Sequence, residues 1–131
     1  MRPKKKIAVV DADADRAGIL RFMLETNGYA AECFPGPKAA APHLASFDCL
    51  VMHWEGKALN RRRAPHVPVI VLAPQEGFRT IIAEAMGGYD ALIAKDVVAS
   101  EFLERLKIIT ARKRGPRKGT RHFAPPQAVA V

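Results

Sequence analysis

Asp11, Asp13, His53 and Lys95 of this 131-residue chain are of types that do chemistry and each lies at or just beyond the end of an apolar run. Two carboxylates and an imidazole could form a facial metal triad, and an imidazole can itself accept a phosphoryl group. Ligand types without demonstrated geometry are a weak warrant for either. The reading preferred on residue types is a histidine that fills its crevice and hydrogen-bonds or pairs with Asp11 or the surroundings of Lys95, with Asp11 and Lys95 forming an ion pair. Cys33 and Cys49 lie in apolar runs without CxxC spacing, which predicts buried free thiols rather than a disulfide or a zinc site.

The elements that must position these groups alternate in period. Ile7–Val10 is an unbroken apolar run ended by Asp11, as a parallel strand buried on both faces requires. Asp13 or Asp15 can cap a helix that carries Ala17, Leu20 and Leu24 on one stripe and stops at Asn27-Gly28. Strands are predicted at Ala30–Phe34, Cys49–His53, Val67–Ala73 and Ala91–Ala94. A short Ala-rich helix over Lys38–Ala45 is interrupted by Pro42. Another helix opens at Gly77 with Ile81, Ile82, Ala85 and Met86 on one face. Ser100 caps a last helix striped by Phe102, Leu103, Leu106 and Ile109. Residues 55–66 read as a loop with a weak helix.

Five strands alternating with helices define an α/β fold: a flavodoxin-like, doubly wound, five-stranded parallel sheet of order 2-1-3-4-5 with helices on both faces. In such a sheet the ligand crevice lies at the carboxyl ends of the strands, near the switch point between the first and third. Asp11, Ala12, Asp13, His53, Ala73 and Lys95 all fall there.

Apolar residues make up 49% and charged residues 26%, which excludes a disordered or collagen-like chain. No apolar run approaches the roughly 18 residues of a membrane span, and the opening MRPKKK-IAVV is too short for a signal peptide, so a cytoplasmic protein is expected. The net charge of +8 is concentrated at the extremities and in one loop. Four positive charges lie in residues 1–6, three at Arg61, Arg62 and Arg63, and six, with no acid, in residues 112–131. All 13 acids fall elsewhere, against eight bases. Residues 1–112 are read as one domain, and 113–131 as a basic, Pro/Gly-containing flexible tail.

Several segments together resemble the receiver domain of response regulators, the CheY-like family, over roughly residues 5–112. They are IAVVDAD at Ile7–Asp13, Asn27-Gly28-Tyr29, FDCLVMH at Phe47–His53, VPVIVLA at Val67–Ala73 and GYDALIAK at Gly88–Lys95. The resemblance implies two-component signalling, in which an aspartate takes a phosphoryl group with help from a divalent cation, a lysine and a hydroxyl. Laid on this sequence, the acceptor position is His53, the second acid of the first strand is Ala12, the hydroxyl position is Ala73, and the switch aromatic is Leu92. Asp96 stands where a proline usually follows the lysine. Only Asp11, Asp13 and Lys95 survive of that pocket. The resemblance therefore implies a degenerate pseudo-receiver, not phosphorylated at position 53, with weak or absent Mg²⁺ binding and no metal site, acting by protein contact.

Partners implied are a histidine kinase, a phosphotransfer protein or another regulator. Ile19 and Phe22 lie off the core stripe of the first helix and are candidate contacts, as are Arg61, Arg62 and Arg63. The family's dimer face, made by the fourth helix, fifth strand and fifth helix, would carry Phe78, Arg79, Glu84, Asp90 and Arg105. The basic tail could also bind nucleic acid, as a transcriptional regulator would, but Phe123 is its sole ring and no recognition helix can be placed. A solvated linker, or a contact for an acidic protein, is preferred. An enzyme is disfavoured, because Asp11-Ala12-Asp13-Ala14 lacks a glycine-rich phosphate cradle and no nucleophile–base pair is evident.

Overall fold

The computed structural model describes residues 4–55, 66–85, 89–111 and 127–128. Arg61, Arg62 and Arg63, and the tail but for residues 127–128, lie outside them. The strands are β1 (Lys6–Val10), β2 (Ala30–Phe34), β3 (Cys49–His53), β4 (Val69–Ala73), β5 (Ala91–Ala94) and the two-residue β6 (Gln127–Ala128). All pairings are parallel, and the order is β2-β1-β3-β4-β5-β6. The expected 2-1-3-4-5 core is thus present. The sequence reading did not place β6, which pairs Gln127 with Ala91 and Ala128 with Leu92.

Because β1 and β3 are buried on both faces, their side chains divide by parity between two layers. Ile7, Val9, Cys49, Val51, Ile70 and Ile93 pack beneath α1 (Ala14–Thr26) and α4 (Ala99–Ala111). Ala8, Val10, Leu50, Met52, Val69 and Val71 face the opposite layer, formed by α2 (Pro37–Ala40), a 3₁₀ segment over Ala41–Ser46, and α3 (Phe78–Ala85).

The helices begin and end where local chemistry directs, with some adjustments. Asp13 caps α1: its Oδ1 accepts from the amides of Asp15 (3.0 Å) and Arg16 (3.1 Å). Gly28, at φ 92°, lets the Tyr29 amide turn back to the Leu24 carbonyl at 3.0 Å and ends the helix. Pro42 falls at the change from α2 to the 3₁₀ turn, since its missing N–H cannot continue the α ladder. The Gln75–Gly77 stretch is a 3₁₀ turn and α3 starts one residue after Gly77. Ile81 is buried on α3, whereas Ile82 is 48% exposed and lies off the core face. α4 starts at Ala99, with the Val98 carbonyl accepting from Glu101 and Phe102, so Ser100 sits inside the first turn rather than capping it. β4 begins two residues later than predicted, at Val69, following Pro68.

Two aspartates fasten the amino ends of the strands in the same way. The Lys6 amide donates to Asp48 Oδ2 at 2.7 Å while the Asp48 amide donates to the Lys6 carbonyl. Asp90 does the same to Val69, with both bonds at 2.7 Å. Asp11, His53, Ala73 and Lys95 lie at the opposite end of the sheet. Among the described residues no helix is long and apolar enough to cross a membrane.

Candidate functional site

At the carboxyl ends of β1, β3, β4 and β5 the backbone brings Asp11, His53, Ala73 and Lys95 together. Asp11 donates its amide to the Phe34 carbonyl, His53 sits in register with Leu72, and the Lys95 amide donates to the Ala73 carbonyl at 2.9 Å. The ion pair at their centre was not foreseen. Arg16 Nε and Nη2 donate to Asp11 Oδ2 and Oδ1, each at 2.7 Å, and a third hydrogen bond comes to Oδ1 from the Asp13 amide at 2.9 Å. The expected Asp11–Lys95 pair does not form: a guanidinium one helical turn away matches the carboxylate fork, and Lys95 has no ion pair among the described residues.

Arg16 did leave a trace in the sequence. A cation in the first turn of a helix opposes the helix dipole, and such a residue is stabilised when it reaches an acid ahead of the helix. Glu55 was missed as well; its Oε2 accepts from the Ala12 amide at 3.3 Å and closes the crevice from the β3 side.

Charge states follow from this packing. Burial pushes the Asp11 carboxyl up, but the Arg16 hydrogen bonds, the Asp13 amide, the Arg16 charge and, at the acidic pH where the carboxyl titrates, the protonated His53 together outweigh it and hold the group below 3.8. Burial pushes His53 down, and Arg16 and Lys95 push it further, more than Asp11 and Glu55 restore, so it lies below 6.5 and is neutral at pH 7. Both ring nitrogens of His53 are buried and have no hydrogen-bond partner among the described residues. The histidine therefore fills its position as predicted, but it does not hydrogen-bond Asp11. Asp13 is spent on capping α1 and lies 3.9 Å from Arg16 Nη1.

The fold family implies Mg²⁺ in this crevice, and the residues present do not fit it. Both Asp11 oxygens accept from a guanidinium, position 12 carries a methyl group, and a neutral imidazole stands at position 53. A hard dication needs near-octahedral oxygen donors, which this set does not offer while Arg16 keeps its place. Among the described residues no three His, Cys, Asp or Glu side chains are grouped to hold a metal ion.

Of the remaining candidates, Ala73 and Leu92 are fully buried in the same apolar layer. Phe78 corrects the sequence reading: it is buried in that layer and cannot serve as a surface contact, because α3 turns this ring onto the sheet. Arg79 is exposed, Arg105 half-buried, and Ile19 and Phe22 stand 72% and 69% exposed on α1. Cys49 is buried and Cys33 half-buried, both as free thiols.

No protein-family model and no curated protein sequence matches the chain. Solved structures do. A response regulator receiver domain protein from Clostridium thermocellum superposes with a TM-score of 0.71 at 18% identity, covering 82% of this chain and 94% of that one. A CheY-like receiver domain protein from Methanospirillum hungatei JF-1 gives 0.71 at 18%, covering 83% and 95%. The receiver domain of the Francisella response regulator 1452 gives 0.70 at 22%, covering 82% and 98%. The chain has the fold of the CheY-like response regulator receiver domains.

Proposed function

We propose that this chain is a pseudo-receiver: a regulatory module of two-component signalling that works by protein contact and takes no phosphoryl group at position 53. One observation carries the reading. Asp11, one of the two acids retained, is held in a bidentate pair with Arg16 beside a neutral His53, which supports a crevice without the nucleophile and cation site of an aspartyl-phosphate cycle. Ala73 offers no hydroxyl and Leu92 no ring to couple the crevice to the distal face. The chain would then be no enzyme and need no cofactor, and would work in the cytoplasm. Its contacts would be with a kinase, phosphotransfer protein or other regulator through Ile19 and Phe22 on α1. A homodimer through α3, β5 and α4 is a second surface of the same reading.

The test is incubation with acetyl phosphate and Mg²⁺, followed by intact mass measurement at neutral pH, with a thermal melt in beryllofluoride and Mg²⁺ alongside. The expected result is no added phosphoryl mass and no rise in Tm. Stable phosphoryl mass on residue 53 overturns the reading.

A further inference from the structure

The apolar layer under α1 and α4 does not close at the crevice end. A cavity of about 420 Å³ opens there, within the size range of small-ligand sites, and it lies where doubly wound sheets bind ligands. Its wall is apolar: Leu20 and Met23 from α1, Leu72 from β4, and Val97 and Phe102 from the start of α4. Leu72 marks the opening. Its β4 neighbours Val69, Ile70, Val71 and Ala73 are at most 2% exposed, whereas Leu72 is only partly buried because its side chain faces the cavity. The groove is open to solvent on one side, and its apolar wall is continuous with the core layer beneath α1 and α4.

The polar groups stand at one end of this space. They are Asp11, Arg16, His53, Lys95 and Asp96. Asp11 and Arg16 neutralise each other at 2.7 Å. Among the described residues Lys95 has no ion pair, and His53 is held neutral with both nitrogens lacking partners. The exposed carboxylate of Asp96 on the same rim opposes a doubly charged head group. An apolar wall ending at a lone ammonium with one acid nearby suits a molecule with an aliphatic or aromatic body and a single negative charge.

We propose that the cavity between α1 and α4 binds a small amphiphilic monocarboxylate, its apolar body against Met23 and Phe102 and its carboxylate at Lys95, as the input that replaces phosphorylation. This rests on the pseudo-receiver reading, which the acetyl-phosphate measurement tests separately.

The experiment is an amide-resolved NMR titration of the full chain with decanoate, decan-1-ol and inorganic phosphate. Decanoate is expected to bind saturably and to shift the amides of Leu20, Met23, Val97 and Phe102, with phosphate giving no such shifts. Lys95→Met should weaken decanoate at least tenfold and leave decan-1-ol unchanged. Ala99→Trp, at an exposed position on the cavity rim, should abolish decanoate binding with Tm retained. Absence of saturable binding, or binding that survives Ala99→Trp, overturns the site. Decan-1-ol binding as tightly as decanoate, or no effect of Lys95→Met, overturns the carboxylate assignment.

Discussion

Arg16 holds Asp11 by two 2.7 Å hydrogen bonds, fork to fork, with the carboxylate side chain 6% exposed and the guanidinium side chain 44% exposed. That arrangement satisfies both oxygens of the crevice carboxylate with a cation of the chain's own. It makes the charge of the crevice part of the fold.

Arg16→Ala should therefore cost stability, because it strands a buried carboxylate. A fully buried pair loses about 3–5 kcal/mol on such a change, and the half-exposed guanidinium reduces this to about 1–2 kcal/mol here. Urea denaturation at pH 7.5 measures it; an unchanged midpoint would show that the pair contributes nothing.

Stability should fall on acidification in two stages. His53 is held below 6.5, so the unfolded chain takes up its proton first, and stability whole above pH 6.5 erodes as the pH falls toward the folded value. Asp11 is held below 3.8, so its contribution is present above 3.8 and is lost as the pH falls through its folded value. His53→Asn should flatten the first stage and leave the second. Melting temperatures between pH 3 and 8 separate the two, and a wild-type curve flat from 7 to 5 would contradict the assignment.

Among the described residues neither buried ring nitrogen of His53 has a hydrogen-bond partner, and a buried polar group left so costs free energy in the folded state. His53→Leu, of similar size and without polar atoms, should stabilise the protein by about 1 kcal/mol at pH 7. A destabilised variant would mean that the imidazole has a partner in solution.

Ile19 and Phe22 are too exposed to contribute to the core. Ile19→Glu/Phe22→Glu should change stability by no more than about 0.5 kcal/mol at each site while removing proteins that copurify with the wild-type chain. Identical sets of copurifying proteins would remove α1 as the docking surface.

Cys49 opens β3 and is fully buried, and burial pushes its thiol far above the ordinary cysteine range; Cys33, half-buried, is also raised by burial. Thiol titration of the native protein should label Cys33 slowly and Cys49 only on addition of denaturant. Prompt reaction at both would show that the β1–β3 layer opens readily.

The strand boundaries were legible because a strand buried on both faces must be a continuous apolar run ended by charge or a turn. Cys49–His53 and Ala91–Ala94 fall on the residues predicted for that reason. Asp13 and Gly28 were equally readable, since capping and a positive φ are local requirements of single residues. The expectation of a degenerate pocket comes only from laying the sequence on a known pattern. Rotation of a helix about its axis is not readable, so the sequence predicts a surface ring at Phe78, which is buried.

The sequence by itself determined the alternation of strands and helices, the strand that carries each crevice residue, and the absence of a carboxylate at position 53. Tertiary structure decided which cation Asp11 would hold and where the core would stay open. Both depend on side chains from separate elements meeting in space, and neither the reach of Arg16 past its own cap nor the gap between α1 and α4 has any periodicity along the chain.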